Sequence, residues 1–144
     1  MENMLIAKDI NNSAKERANM SLKYLSKDGE MLAYLVAYEG NMSADNYEPC
    51  IYVADLAKMP DAEKGVGMEL IKEFIRLYKI NYLDKGNHIP IKAEAREVSS
   101  YKLIVRHLNE IGKSAGIKFD LEEDETYQKG DDTMHPVIIR PKSL

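Results

Sequence analysis

This 144-residue chain has one cysteine, no excess of positive charge and no long apolar run, and each of these absences excludes a class of protein. The single cysteine, Cys50, allows neither an internal disulfide nor a cysteine-based zinc site. We expect it to be a small buried side chain in a reducing compartment rather than a nucleophile. With a net charge of −4 and a pI near 5.4, the chain lacks the basic face that general nucleic-acid binding requires.

The sequence also contains no recognisable membrane-spanning segment and no recognisable signal peptide. No apolar run approaches the roughly 18 residues of a membrane-spanning helix, so we expect no membrane span. Residues 1–8 contain neither the basic segment nor the long apolar run of a Sec-type signal, which favours the cytoplasm; export without a signal leaves no mark in a sequence. Length and a hydrophobic content of 44% predict one domain over residues 1–144. They do not determine the oligomeric state, and a homodimer is among the alternatives.

Hydrophobic periodicity predicts an α/β order of elements. Asp28-Gly29 is a typical hairpin turn between two strands, and the second of them is apolar on both faces around Met31–Tyr38, as expected of a central strand. The predicted strands are 21–26, 30–39, 48–57, 89–95, 117–121 and 134–140, and the predicted helices are 66–80, 98–111 and a short one at 11–20. This order, with hairpins at both ends, predicts a mixed α/β sheet with helices on both faces.

Two details of these elements bear on the site. In the strand 89–95, Ile89, Ile91, Ala93 and Ala95 share one face, whereas Lys92 and Glu94 point the other way. The second long helix is expected to stop at Gly112 or at Gly116, because glycine readily adopts the left-handed conformation that ends a helix.

The most informative segment is residues 63–74, where Gly65 and Gly67 open an amphipathic helix directly after a strand. The first N–H groups of a helix have no intrahelical partner, the dipole is positive at that end, and glycine lets a phosphate approach the backbone. We therefore infer a ligand that carries a pyrophosphate; the alternative is a loop-to-helix junction without a ligand. The chain contains no Walker-type motif, and the third glycine of the dinucleotide-binding motif is missing.

This segment, Ala62-Glu63-Lys64-Gly65-Val66-Gly67, resembles the [RQ]-x-x-G-x-[GA] motif of the GNAT family of acyl-CoA-dependent N-acyltransferases. The motif stands at the same place, between a strand and a helix, and the resemblance extends over roughly residues 21–140. The chain departs from the family pattern at Ala62, where Arg or Gln is expected, and at Leu108, where the second core helix often has Tyr. The Asn that often follows the second core strand is also absent.

The resemblance implies a mixed, mostly antiparallel sheet whose central parallel pair splays around a cofactor cleft. Acetyl-CoA or another acyl-CoA would be the cosubstrate, and no metal is expected. Backbone groups near Leu56, Ala57 and Met59 would pair with the pantetheine amides, and Ser99 and Ser100 would be helix caps or further pantetheine contacts. The residues expected to hold the pyrophosphate are Glu63, Lys64, Gly65, Val66, Gly67 and Met68.

Under the same resemblance, three features have candidate roles in the reaction. Asp55 interrupts an apolar strand beside the expected thioester and is a candidate general base; the alternative is an outward-facing side chain at a strand end. Tyr101 is a candidate donor of a proton to the leaving thiolate, or an ordinary core residue. The acidic loop would border the acceptor site and attract a cationic amine such as a polyamine, an aminoglycoside or a lysine-rich peptide, unless it is only a solvated surface. Its residues are Glu122, Glu123, Asp124 and Glu125.

The function expected from these features is transfer of an acetyl group from acetyl-CoA directly to a primary amine. An acyl-CoA-binding sensor or interaction module without efficient catalysis is the alternative, motivated by the departures at Ala62 and Leu108. A plain interaction domain without a nucleotide ligand is a third hypothesis.

Overall fold

The chain folds around an eight-stranded mixed sheet. The structure is a computed structural model, and it describes residues 3–6, 20–43, 45, 47–59, 65–95, 98–123 and 125–142. The strands are β1 (Asn3–Ile6), β2 (Leu22–Leu25), β3 (Met31–Asn41), β4 (Pro49–Lys58), β5 (Ile91–Ala95), β6 (Lys118–Glu123), β7 (Tyr127–Lys129) and β8 (Asp132–Lys142). The helices of the described residues are α1 (Val66–Asn81) and α2 (Val98–Ser114), and a 3-10 turn at Leu83–Lys85 follows α1.

The strands are arranged in the order β1-β2-β3-β4-β5-β8-β6, and β7 pairs with the beginning of β8. Only β4 and β5 are parallel among the described strand pairs; the other pairs are antiparallel. The prediction of a mixed, mostly antiparallel sheet with a central parallel pair is therefore confirmed. The predicted hairpin is also present, and β3 lies between β2 and β4 as its apolar character on both faces suggested.

Both described helices lie on one face of the sheet. The apolar face of α1 is buried by residues spaced one helical turn apart, and it contacts α2 as well as β2, β3 and β4. One core cluster joins the two helices to the inner face of the sheet through Phe74, Leu108, Leu35, Ile51, Ile91 and Ile139. The order of the elements predicted helices on both faces, whereas the two described helices share one face. The third predicted helix, at 11–20, lies outside the described residues except for Met20.

The C-terminus of α2 settles which glycine ends this helix. Gly116 adopts a left-handed conformation at φ 76, Ile117 N–H donates to Gly112 O, and Gly116 N–H donates to Lys113 O. These two bonds form a Schellman motif, which satisfies carbonyls left over at the helix end. Gly112 lies inside the helix, so α2 extends beyond the predicted end at residue 111.

Two short strands were not predicted, and β5, β6 and β8 begin or end at residues other than those expected. β1 has four residues and β7 has three, too few for a period to be recognised. A two-residue turn at Gly130-Asp131 joins β7 to β8, so this part of the predicted charged loop is a hairpin. Glu122 and Glu123 likewise belong to β6, since pairing with Ile138 and Val137 of β8 extends the strand beyond its predicted end.

Candidate functional site

The two parallel strands separate partway along their length. Their pairing covers three positions, from Ile51 opposite Ile91 to Val53 opposite Ala93. Beyond Val53, β4 continues to Lys58 alongside β3, whereas Glu94 and Ala95 of β5 continue alongside β8. We call the gap between residues 54–58 and residues 94–95 the fork. It is the splay that the resemblance implied.

A β-bulge lies where the fork begins. Ala37 of β3 pairs with Val53, but the next residue, Val36, pairs with Asp55, so that Ala54 is an extra residue on β4. A bulge bends the strand that carries it and increases its local twist. Because Ala54 directly follows the last pair with β5, this bend gives a physical cause for the separation of the strands.

The hydrogen bonds between β4 and β3 show which residues of β4 direct their peptide groups toward the fork. Met59 N–H donates to Leu32 O at 2.8 Å, so this donor is used within the sheet. Residues of an antiparallel strand alternate in the edge to which they bond, so Ala57 also faces β3. Leu56 and Lys58 then present N–H and C=O groups to the fork, and of the three predicted backbone contacts only Leu56 is oriented toward it.

The N-terminus of α1 follows the open end of β4. Gly65 precedes the helix with φ 96, a conformation that favours glycine, and no side chain of the described residues caps the helix. The first bond of the helix among the described residues runs from Glu69 N–H to Gly65 O at 3.0 Å. A Cβ added at Gly67 would meet no atom of the described residues within 4 Å, which leaves room beside the first-turn N–H groups. An anion can therefore approach this end of the helix.

The opposite face of the sheet carries a cluster of tyrosines around one carboxylate. Oε2 of Glu94 accepts hydrogen bonds from Tyr52 Oη at 3.1 Å and from Tyr127 Oη at 2.6 Å. The rings of Tyr38 and Tyr52 pack with centroids 5.8 Å apart. We call Tyr38, Tyr52, Glu94 and Tyr127 the Glu94 cluster. It joins β4 to β5 at the base of the fork, since Tyr52 lies in the paired stretch of β4 and Glu94 directly follows the paired stretch of β5.

Both phenols that contact Glu94 stay protonated at neutral pH. The hydrogen bond to Glu94, together with burial and the carboxylate charge, raises the pKa of Tyr127 to about 12. Burial, followed by the charge and hydrogen bond of Glu94, raises the pKa of Tyr52. Each phenol is therefore a stable donor to the carboxylate.

Several residues predicted from the sequence cannot be placed in this geometry. Glu63, Lys64 and Asp124 lie outside the described residues. The backbone of Asp55 lies in β4, and Ser99, Ser100 and Tyr101 lie in the first turn of α2, but the side chains of these four are outside the described part. Of the remaining predicted contacts, Val66 is buried in the core, while Leu56 and Met68 are half-buried against it.

At least one carboxylate of the predicted acidic rim is already paired with a cation. Glu122 forms an ion pair with Arg140 at 3.0 Å, and the same guanidinium binds Glu48 at 2.9 Å. Glu123 and Glu125 are exposed. The rim therefore includes the end of a strand, and one of its carboxylates is already neutralised.

The remaining titratable groups suggest no second centre. Cys50 is buried and burial raises the pKa of its thiol, which confirms the small buried side chain expected from the sequence. Nδ1 of His107 is buried without a hydrogen-bond partner among the described residues. Within that part of the chain no group of three or more His, Cys, Asp or Glu could hold a metal, and no helix is long and apolar enough to span a membrane.

Comparison with known proteins gives a likeness of structure only. No family model and no curated protein sequence matches the chain. The chain is similar to Arabidopsis thaliana Naa50 in complex with the bisubstrate analogue CoA-Ac-MVNAL, with 11% identity, a TM-score of 0.57 and 99% of both chains covered. It is also similar to a histone acetyltransferase HPA2 and related acetyltransferase from Corynebacterium glutamicum, with 16% identity and a TM-score of 0.56. That likeness covers 88% of this chain and 66% of the other, just under two thirds of its length.

A third similar structure is arylalkylamine N-acetyltransferase 2 from Aedes aegypti, with 14% identity, a TM-score of 0.52, and coverage of 90% and 76% of the two chains. At these identities the likeness establishes the fold. The chain has the GNAT fold, as the resemblance of its glycine motif implied.

Proposed function

We propose that the protein transfers an acetyl group from acetyl-CoA directly to a primary amine. The observation that carries this proposal is the fork between β4 and β5, followed by the uncapped, glycine-opened N-terminus of α1. An extended chain that ends in an anion can pair with the free backbone edge of β4 while its phosphates lie on the first-turn N–H groups of α1.

The fold comparisons support this choice of ligand. The similar Naa50 structure holds an analogue that joins CoA to a peptide, and the similar protein from Aedes aegypti is an arylalkylamine N-acetyltransferase. We extend the proposal to residues 1–144 as one acyl-CoA-binding domain, which agrees with the full-length match to Naa50. A reducing compartment such as the cytoplasm suits the single buried thiol.

Backbone contacts with the pantetheine arm are assigned to the residues that face the fork. Leu56 and Lys58 present their peptide groups to this edge, and the N–H groups of Val66, Gly67 and Met68 are proposed to receive the pyrophosphate. We retain Ser99 and Ser100 as further contacts because α2 begins after β5, at the other side of the fork.

The reaction needs no covalent enzyme intermediate. The amine nitrogen attacks the thioester carbonyl carbon, a C–N bond forms, the C–S bond breaks and CoA leaves as a thiolate. An alkylammonium acceptor loses two protons in the process; one returns to the CoA sulfur and the other passes to solvent. Asp55 is our candidate for accepting a proton and Tyr101 for protonating the thiolate, since both lie on elements that flank the fork.

Calorimetric titration with acetyl-CoA tests the cofactor site, and Gly67→Glu is the informative variant. The added carboxylate would occupy the open space at Gly67 and repel the pyrophosphate, so we expect affinity to fall at least about tenfold. Ile80→Glu places the same side chain at an exposed position in the last turn of α1 and should leave affinity unchanged.

Equal affinity in wild type and Gly67→Glu would refute the helix-terminus site. Release of the CoA thiol in the presence of a panel of primary amines then measures catalysis. Tight binding without thiol release for any amine would identify the acyl-CoA-binding sensor instead of the transferase.

A further inference from the structure

We propose that Glu94 binds the acceptor's ammonium group, and that the acceptor is a cationic primary alkylamine of the polyamine class. This inference rests on the proposed acetyl transfer for its biological meaning, although the binding site itself can be tested separately. The argument uses the position of Glu94, the way its carboxylate is held and the charges around it.

Glu94 lies at the mouth of the fork, on the face opposite the helices. It directly follows Ala93, which forms the last pair with β4. Ile91 and Ala93 are buried beneath the helices, and alternation directs Glu94 to the other face. The N-terminus of α1 belongs to the helix face. A cofactor that enters from that face and an amine bound at Glu94 would therefore meet in the fork from opposite sides.

The carboxylate is held by donors that leave one oxygen available. Both phenol bonds go to Oε2, while no hydrogen bond to Oε1 is found among the described residues. Since Tyr52 and Tyr127 are anchored on different strands, they fix the direction of the carboxylate. A primary ammonium has three N–H donors and can bind Oε1 together with the phenol oxygens.

The charge of Glu94 has no cationic partner within the described residues. Lys92 lies on the same face of β5, but its Nζ donates to Met42 O at 2.6 Å. Arg140 is occupied by Glu48 and Glu122. Partial burial removes water from this carboxylate, and a bound cation would offset part of that cost. An ammonium ligand would supply that charge.

The aromatic side chains and the nearby acidic rim favour a flexible amine with several positive charges over an amine with one. The rings of Tyr52 and Tyr127 stand next to the carboxylate, with Tyr38 packed against Tyr52, and aromatic faces attract cations. Exposed Glu123 provides negative charge for a further amino group.

Titration with spermidine, by calorimetry with and without CoA, tests the site in wild type, Glu94→Gln and Glu110→Gln. Glu94→Gln keeps the shape of the side chain and removes its charge, so we expect spermidine affinity to fall by about tenfold or more. Glu110→Gln makes the same change on the exposed surface of α2 and should bind spermidine like wild type. Tyr127→Phe removes one donor to Glu94 but keeps the ring, and we expect a smaller loss.

Turnover distinguishes the two proposals. In Glu94→Gln we expect a higher KM for spermidine at an unchanged affinity for acetyl-CoA. Spermidine binding that is absent in wild type, or equal in wild type and Glu94→Gln, would overturn the ammonium site. Failure of wild type to bind acetyl-CoA would instead refute the acetyl transfer, while loss of spermidine binding in Glu94→Gln would still support the site.

Discussion

Gly112 has no room for a side chain. A Cβ at this position would lie 2.8 Å from two ring carbons of Phe119 and 3.0 Å from Ile117 O. The glycine lets β6 return directly beneath α2, and its own carbonyl accepts the closing bond of the Schellman motif. A side chain here would have to displace an aromatic ring and the backbone at the same turn.

Gly112→Ala should therefore destabilise the protein, although alanine is the better helix former. We expect a loss of about 1–3 kcal/mol in the free energy of unfolding, the usual consequence of overpacking a well-filled interior. Urea unfolding followed by circular dichroism measures it. As a control, Gly67→Ala has open space around its Cβ and should retain wild-type stability; a stable Gly112→Ala would show that Phe119 moves freely.

Single residues also show where prediction from sequence ends. The glycine motif predicted the N-terminus of α1, and alternation placed Glu94 on the face away from the core. Its partners could not be predicted, because Tyr52 and Tyr127 are 42 and 33 residues away along the chain and meet it only through strand register. The available signal was a carboxylate beside Lys92 on the outward face of the strand.

At the scale of elements, the bulge at Ala54 shapes the fork. The strands, helices and their order were predictable because periods of 2 and 3.6 persist over most of them. Nothing in Val53-Ala54-Asp55 distinguishes a bulge from regular alternation, since the extra residue is defined only by its pairing with β3.

Deletion of Ala54 should straighten β4 without changing the register on either side, since Val53 and Asp55 already pair with consecutive residues of β3. We expect the fold to persist and acetyl-CoA affinity to fall by about tenfold or more as the fork narrows. Calorimetry gives the affinity, and circular dichroism verifies the fold. Undiminished binding by a folded variant would mean that the bulge does not set the width of the cleft.

At the scale of the whole molecule, the two faces of the sheet carry different groups of residues. The described helices and the core occupy one face, and the Glu94 cluster occupies the other. The fork is the gap in the sheet that connects these two faces. A ligand in it would contact β4, α1 and, across the gap, β5, so its binding should stabilise the native state of the domain as a unit.

Acetyl-CoA should accordingly raise the melting temperature. At a concentration about 100 times its Kd, a ligand of the native state adds about 2.7 kcal/mol, which corresponds to roughly 5–10 °C in a domain of this size. Differential scanning calorimetry with acetyl-CoA, and with free adenine as a control that lacks the pantetheine and phosphates, measures the shift. Equal shifts for both compounds would argue against recognition through the fork.

The position of β8 has a consequence for how the chain acquires its structure. β8 is the last of the eight strands along the sequence, yet it lies between β5 and β6. Until it is inserted, both of those strands expose an unpaired edge, to which other chains can bond. β1 to β4, by contrast, pair with neighbours in sequence. During synthesis the first half of the sheet can form early, while the second half has to wait for the strand that emerges last from the ribosome.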